Sequence, residues 1–316
     1  MKTFDEIYEE LQNGENQELK ETWEAAKEQS KKAIKTAAII CSIIDFFAIV
    51  LLLTSNTRKM SIFPVIFITL IINLFVFVIT NIIFTGKERN KYNQIYKNEV
   101  IGKIMKNFYN NLEYFPYKPM PEYIYNQLNY EYYNIYKSDD YFEAQINNEY
   151  SIQMAEILTQ EERIYKNKDG ETEREVTTKF HGLFAKVEMN KSIGNELKIV
   201  QNGGMIFQKD RLDMDSSEFE KYFDVKASDK ILGMQILTAD VMEELVQFVN
   251  NTKMKYDIYI KDNELYLRFH SGAMFEAGSL KKEALDKETL EKYFYMLNFT
   301  YNLSNKLINV VNDTII

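Results

Sequence analysis

Two long apolar segments interrupt a chain whose other residues mostly alternate between polar and apolar. They cover about residues 36–54 and 62–84, and each is long enough to cross a bilayer, which takes about 20 predominantly apolar residues. Only seven residues, 55–61, separate them. The pattern therefore predicts a two-helix transmembrane hairpin over residues 36–86, with both flanks of the chain on the same side of the membrane.

Basic side chains indicate the orientation of this hairpin. Four lysines precede the first span and three basic residues follow the second, whereas the connecting residues include only Arg58 and Lys59. Because basic residues concentrate on the cytoplasmic side, the sequence predicts a multi-pass protein of the cell membrane with two spans and both termini in the cytoplasm. The basic cluster before the first span, which we expect to face anionic lipid headgroups, consists of Lys27, Lys31, Lys32 and Lys35.

Each apolar segment carries one strongly polar residue near its centre, Asp45 in the first and Asn73 in the second. In an antiparallel hairpin the two side chains would meet at the same depth. An intramembrane carboxylate often marks a proton or ion site, and the alternative is a structural contact between the two helices or between hairpins of an oligomer. Because there are only two spans and no second intramembrane charge to form a relay, the structural contact is the favoured interpretation.

The polar segments on either side of the hairpin predict two further parts. Residues 1–35 have the spacing of charged, amphipathic helices, with a break at Asn13 and Gly14. Residues 87–316 predict a cytoplasmic α+β domain of mostly antiparallel strands with flanking helices. Its predicted elements are a stalk helix over 88–112, strands within 140–163 and 180–189, an exposed connection over 166–174, strands over 197–200 and 219–225, a helix capped by Thr238, a β-hairpin over 256–269 and a C-terminal helix over 286–311.

Tyrosines are concentrated between Tyr123 and Tyr141. One interpretation is a platform that stacks on bases, sugars or peptides, but the segment lacks the repeated basic residues between rings that nucleic-acid binding requires, since Lys137 is its one basic residue. The favoured prediction is therefore an amphipathic helix that packs its aromatic face on the domain.

Charge and cysteine content exclude some functions. The net charge is −9, and from Lys87 onward 30 basic residues stand against 37 acidic ones. Such a surface repels phosphate backbones, so no nucleic-acid partner is predicted. Cys41 is the only cysteine and lies in the first span, so no intramolecular disulfide can form, which fits a reducing compartment.

No catalytic signature is present. The sequence lacks a P-loop, a dinucleotide-binding glycine motif, a serine elbow and a paired-cysteine metal site, and we predict neither a metal nor a cofactor. His181 and His270 lie on predicted strands without a spaced partner, so each is more often structural than a general base. The acidic pairs, which we predict to be solvated surface, are Asp139/Asp140, Glu161/Glu162 and Glu243/Glu244.

The order of several motifs resembles a known family. They are Lys97–Phe108, the FHGLF run at 180–184, FEKYFDV at 219–225, the Leu237-Thr238 helix start with Met242, and NELYL at 263–267. This order resembles the bacterial membrane family catalogued as domain of unknown function 3137 (DUF3137). The resemblance implies a shared fold and membrane spans beside a cytosolic domain, and it implies no catalytic or ligand residues.

These observations favour one functional hypothesis over two others. The first is a non-enzymatic, membrane-tethered binding or scaffold module whose partners are the bilayer and either further copies of itself or another membrane-associated protein. A membrane-anchored enzyme is the alternative, with His181, His270 and nearby carboxylates as candidates, and a pocket that holds either histidine beside an acid would favour it. A channel or transporter subunit centred on Asp45 would need oligomerisation to surround a pore.

Overall fold

The computed structural model of the chain describes residues 1–14, 17–54, 62–202 and 211–315. These residues form two compact units. The helical unit comprises Asp5–Val100 and Ala277–Lys287, and the sheet domain comprises Met1–Phe4, Ile101–Glu276 and Glu288–Ile316. Two long apolar helices followed by an antiparallel sheet with flanking helices confirm the predicted α+β class.

The helical unit contains both apolar segments within much longer helices. α1 covers Phe4–Asn13, α2 covers Gln17–Thr54 and α3 covers Ile62–Ile95, and a π-helical segment follows over Tyr96–Ile101. α2 packs against α3. The side chains of Ala26, Ala33 and Ala37 are fully buried there, because small residues let two helix backbones approach closely. The connecting residues 55–61 lie outside the described part of the chain.

Among the described residues, the sheet domain is built on one nine-stranded antiparallel sheet in the order β1-β2-β3-β4-β9-β8-β5-β7-β6. The strands are β1 Asn110–Phe115, β2 Ile135–Ile146, β3 Tyr150–Lys166, β4 Thr172–Glu188, β5 Glu196–Gln201, β6 Arg211–Leu212, β7 Phe223–Ala227, β8 Tyr256–Lys261 and β9 Glu264–Phe269. The helices are α4 Gly102–Lys106, α5 Glu122–Asn126, α6 Ser217–Glu220, α7 Lys230–Ile236, α8 Ala239–Thr252 and α9 Lys287–Thr314.

The two faces of the sheet bury different residues. On one face, aromatic side chains of the strands pack against α8 and α9, where the Phe248 and Phe299 rings stack with centroids 3.7 Å apart. On the other face, the segment 120–136 covers the strands with tyrosines, among them Tyr125 beside Phe184 at 5.0 Å. Central strands buried on both faces explain why β8 and β9 are almost continuously buried.

Strands β3 and β4 extend beyond their neighbours. β2 pairs with β3 no further than Gln160, and β9 pairs with β4 only from Leu183 onward. Residues 161–177 therefore form a two-stranded ribbon, here called the β-arm, whose strands pair with each other up to Lys166 and Thr172. The predicted exposed connection over 166–174 is shorter in the structure, because its flanking residues continue the strands.

Three further predicted elements differ in the structure. The helix that follows the second apolar segment ends at Lys106 instead of residue 112, because residues 110–115 pair with β2. The tyrosine-rich segment is helical only over Glu122–Asn126, and its later residues form a loop and β2. Residues 219–225 are divided between α6, whose first turn Ser216 caps through a hydrogen bond from Phe219 N–H, and β7.

Candidate functional site

A buried arginine lies on the tyrosine-covered face of the sheet. Arg268 on β9 pairs across the sheet with Asp257 on β8 and Phe184 on β4, and its side chain is 0 % exposed. Because residues alternate between faces along a strand, Leu267 and Phe269 point toward the helices while Arg268 points away from them. The Arg268 guanidinium carbon lies 4.0 Å from the Tyr130 ring centroid and 4.5 Å from that of Phe180.

Glu131 forms the ion pair with this arginine. Arg268 Nη2 donates to Glu131 Oε1 at 3.0 Å and to Oε2 at 2.9 Å, and it also donates to the Tyr125 hydroxyl at 3.0 Å. The Glu131 carboxylate accepts further hydrogen bonds from Tyr125 Oη at 2.8 Å and Thr159 Oγ1 at 2.9 Å. All of these contacts to Arg268 use one of its three guanidinium nitrogens.

The other two guanidinium nitrogens are buried without a hydrogen-bond partner. Among the described residues, nothing accepts from Arg268 Nε or Nη1. Burial disfavours the charged guanidinium, but neighbouring anionic groups such as Glu131 and Asp257 outweigh it and raise the pKa of Arg268. The side chain therefore stays charged, and its unpaired N–H groups are costly in a buried site.

Residues Tyr130–Tyr133, here called the strap, place Glu131 and Tyr130 over the arginine. Asn134 anchors the end of the strap, because its backbone N–H donates to Gln160 O at 3.1 Å and its side-chain amide donates to Glu162 O at 2.8 Å. Along the described chain, no backbone–backbone hydrogen bond involves residues 130–133. The strap is thus held by its side chains, and it lines a cavity of about 480 Å³ with Glu122, Asn126 and Asn129.

A histidine–aspartate pair lies beside the arginine. His270 Nε2 is 3.3 Å from Asp257 Oδ2, and the Asp257 side chain is 1 % exposed whereas that of His270 is 26 % exposed. The His270 ring packs edge-to-face on Phe180 at 5.1 Å. Burial and the charge of Asp257 raise the pKa of Tyr130. The sequence pattern offered no partner for His270. The tertiary structure places the carboxylate of Asp257 beside it.

His181 lies in a different part of the sheet domain. It lines a cavity of about 260 Å³ together with Asp139, Glu156 and Glu276. Carboxylate oxygens of these three residues and of Asp140 lie within 4.8 Å of one another. Oxygen donors of this kind suit a hard divalent cation, although hydrogen bonds from the Tyr114 hydroxyl to Asp140 and from a backbone N–H to Glu156 already offset part of the negative charge.

This cluster corrects the prediction that Asp139/Asp140 is a solvated pair. The register of β2 against β3 shifts between Asp139 and Phe142, and Asp140 adopts a left-handed backbone with φ 51°. The irregularity turns Asp140 into the interior, where it is fully buried. Burial, followed by the charge of Asp140, raises the pKa of Tyr114. The pair Glu161/Glu162 is likewise not simply solvated, since Glu161 is buried.

Asp45 and Asn73 are close together in the helical unit. Asn73 Nδ2 donates to Asp45 Oδ1 at 2.8 Å, and Cys41 Sγ lies 3.7 Å from the backbone oxygen of Asn73. Within the described residues the Asn73 side-chain oxygen is buried without a hydrogen-bond partner. The polar groups of the two helices thus satisfy each other in part, as expected of a contact between helices.

The lysines of the predicted membrane-surface cluster are partly engaged by protein. Lys27 Nζ lies 4.1 Å from the Trp23 ring centroid, and Lys32 pairs with Glu28 one helical turn away at 2.9 Å. Lys31 and Lys35 are exposed. The cluster lies on one continuous helix with the first span, which leaves its role at a membrane surface as a prediction.

Sequence reasoning did not single out Arg268, Asp257 or Glu131. The available signal was a charged residue, Arg268, inside the NELYLRF motif at 263–269. The strand in this motif is otherwise largely apolar and is buried on both faces. Charged residues are almost never fully buried unless they are paired. The partner Glu131, 137 residues earlier in the chain, could not be identified from a pattern that extends over neighbouring positions.

Comparison with known proteins supports the family resemblance. The model of the family described as "Protein of unknown function (DUF3137)" matches residues 178–308, which confirms the resemblance read from the sequence motifs. The matched region includes most of β4, all of β8 and β9, and Arg268, whereas Glu131 and both apolar helices lie outside it. No curated protein sequence matches the chain.

One solved structure has a weak likeness to this chain. It is the crystal structure of the mycobacterial trehalose monomycolate transport factor A, TtfA, with 6 % sequence identity and a TM-score of 0.34. The match covers 66 % of this chain and 94 % of that one. A likeness at this score supports no conclusion about the fold or the function of this chain.

Proposed function

We propose that this chain is a membrane-tethered binding module with two spans, whose sheet domain and termini lie in the cytoplasm. The apolar surface of α2 and α3 carries this proposal. Large side chains along both helices are exposed, including Phe47 at 65 %, Phe63 at 84 % and Phe75 at 65 %. Two helices of this length and hydropathy expose far more apolar area than water-soluble surfaces carry, and a bilayer covers such a surface.

The proposal that the domain binds rather than catalyses rests on its polar groups. The described residues contain a buried cation with unpaired donors and, lined by its partner Glu131, a cavity of about 480 Å³. The pair Asp45 and Asn73 is engaged internally, which favours a helix contact over an ion path. Partners of the module are further copies of the chain or another membrane-associated protein.

Cysteine labelling tests the orientation. Cys41→Ser provides a cysteine-free background, and Lys168→Cys then places one thiol on the exposed turn of the β-arm. A membrane-impermeant maleimide should label this thiol only after cells are broken. Asn56→Cys, between the two spans, is the matched control and should be labelled in intact cells. Labelling of residue 168 in intact cells, or recovery of the protein in the soluble fraction, would contradict the proposal.

Native mass spectrometry of the full-length protein released from lipid nanodiscs tests the binding role. A discrete oligomer or a co-purifying protein is the expected result. A bare monomer without any bound partner or ligand would contradict a scaffold role.

A membrane-anchored enzyme is the second candidate, because both histidines lie beside acids. His181 shares a cavity with three carboxylates, and His270 contacts Asp257. His181→Gln and His270→Gln test it in a screen of cell metabolites incubated with the purified protein. A metabolite that is consumed by the native chain, but not by one of these variants, would establish the enzyme and displace the binding module.

A further inference from the structure

The unpaired edge of the Arg268 guanidinium is the most unusual polar feature of the sheet domain. A carboxylate that faces an arginine edge-on accepts two parallel hydrogen bonds from two different nitrogens. In this protein, both hydrogen bonds from Arg268 to Glu131 come from the same nitrogen, Nη2. Nε and Nη1 remain buried with no acceptor among the described residues. The ion pair with Glu131 therefore leaves two of the three guanidinium nitrogens without an acceptor.

Aromatic side chains of this face of the sheet surround the arginine. Tyr130 and Phe180 lie against the guanidinium, which keeps it oriented and shielded from water. Glu131 and Tyr130 both belong to the strap and both also line the cavity of about 480 Å³. A displacement of the strap would remove the internal carboxylate and connect Arg268 with that cavity.

The geometry points to Arg268 as the anchor of a carboxylate-binding site, in which Glu131 on the strap occupies the place of the ligand until a carboxylate-bearing molecule displaces it. This inference rests on the proposed role of the sheet domain as a binding module, and it names the ligand class of that module. The body of the ligand lies against the tyrosines that line the cavity.

Local charge favours a carboxylate over a phosphate. Arg268 faces two acids, Glu131 and its cross-strand neighbour Asp257. A ligand carboxylate carries the same single negative charge as the Glu131 side chain that it replaces. A phosphate monoester carries close to two negative charges at neutral pH, so it would add a charge beside the buried Asp257, where repulsion is screened poorly.

Chemical rescue of full-length Glu131→Gln tests the inference. The substitution keeps the shape of the side chain and removes its charge, so we expect the midpoint of thermal unfolding to fall below that of the native chain. Phenylacetate should raise this midpoint saturably, and it should bind the variant at least about ten-fold more tightly than the native chain, because a neutral amide on the strap competes for Arg268 less well than a carboxylate. Glu291→Gln on the exposed face of α9 is the matched control and should show neither effect.

Three further measurements keep the test decisive. Phenylacetamide, the neutral analogue, should give no rescue, and Glu131→Gln combined with Arg268→Met should not respond to phenylacetate. Equal rescue by phenylacetamide, or rescue that persists in the double variant, would overturn the site. Tighter binding of phenyl phosphate than of phenylacetate would overturn the assignment to carboxylates. If Glu131→Gln does not fold, Glu131→Asp withdraws the carboxylate by one methylene and should show the same preference.

This test is independent of the membrane proposal. Rescue is measured on purified protein in detergent, so it does not depend on which side of the membrane the sheet domain occupies. A reversed orientation in the cysteine labelling would leave the carboxylate site standing, and a failed rescue would leave the membrane tether standing.

Discussion

Single residues in this protein have roles that depend on backbone atoms many positions away. Gly182, in the FHGLF run, is the clearest case. A Cβ added there would lie 1.9 Å from Phe269 O and 2.6 Å from Ser271 N, both of which belong to the chain at the end of β9. Since these neighbours are backbone atoms, neither can move aside without disturbing the sheet. The glycine is required where β4 and the end of β9 approach each other.

Gly182→Ala should therefore destabilise the sheet domain strongly. We expect a loss of about 3 kcal/mol or more in the free energy of unfolding, because overpacking against backbone atoms cannot be relieved by a rotamer change. The measurement is urea unfolding followed by circular dichroism. Gly278→Ala, where a Cβ meets nothing within 4 Å, is the control and should stay within about 0.5 kcal/mol. Equal stability of both variants would contradict the steric argument.

Glu161 makes stability depend on pH. Hydrogen bonds from Arg163, at 2.7 and 3.0 Å, and the ammonium of Lys179, at 2.7 Å, lower the pKa of Glu161 to about 2. Because the pKa is lower in the folded state, the stabilisation is complete above the ordinary value of 4.5 and is lost as the pH falls toward 2.

Glu161→Gln should accordingly destabilise the protein at pH 7 and lose that effect in acid. The difference in urea midpoint between the variant and the native chain should shrink below pH 4.5 and approach zero near pH 2. Glu171→Gln, on the exposed turn of the β-arm, should show no such trend. If the difference in urea midpoint stays constant from pH 7 to pH 3, the ion pairs of Glu161 do not contribute to the free energy of unfolding.

At the scale of elements, the hydrogen bond between Asn73 and Asp45 adds to the packing of α2 against α3. Asp45→Leu removes the acceptor of the Asn73 amide and should weaken the pairing of the helices by about 1 kcal/mol, the usual size of such a bond between membrane helices. Asp45→Asn keeps an acceptor and should be close to native. The measurement is unfolding in mixed micelles with an increasing fraction of dodecyl sulfate. Ser42→Ala, which removes only a bond within α2, is the control.

Asp45→Leu also separates the two interpretations of this residue. A structural contact predicts weaker helix pairing or assembly. Normal assembly together with loss of an ion-dependent activity would instead show that Asp45 is an ion site.

The β-arm is an element that the rest of the sheet does not support. Its strands pair only with each other beyond Gln160 and Thr178, and it exposes Ile164, Tyr165 and Val176. Replacing residues 165–173 by Asn-Gly, a favoured two-residue turn, keeps Arg163 beside Glu161 and should leave the unfolding midpoint of the domain nearly unchanged. Phe184→Ala, in the core under Tyr125, is the contrasting variant and should lower it clearly. A collapse of the shortened protein would show that the arm supports the core.

At the scale of the whole molecule, the sheet domain should fold without the spans. Its sheet and its core lie within residues 101–316 in the chain. The fragment Lys87–Ile316 should therefore be soluble and cooperative in thermal unfolding, and in cells it should leave the membrane fraction. Phe184→Ala in the same fragment should lower its midpoint, which confirms that the transition reports the core. An insoluble, unfolded fragment would contradict this organisation.

Local pattern was sufficient for many elements of this fold. The apolar runs lie within α2 and α3, Thr238 precedes α8, and the turn at Asp262 and Asn263 joins β8 to β9. These features depend on residues within a few positions of one another, where periodicity and turn chemistry act. The errors arose where pairing across the sheet overrode local preference, as at the tyrosine-rich segment, whose residues 135–139 pair with β3.

By itself, the sequence determined that the chain has two segments able to span a membrane, a polar α+β remainder and motifs of one family, since composition and short-range periodicity carry that information. Only the tertiary structure decided which distant residues form sites. It joined Arg268 to Glu131, Asp257 to His270, and four carboxylates around one bulge. The physical reason is that charge pairing and burial depend on distance in space, and sheet register sets that distance for residues far apart in the chain.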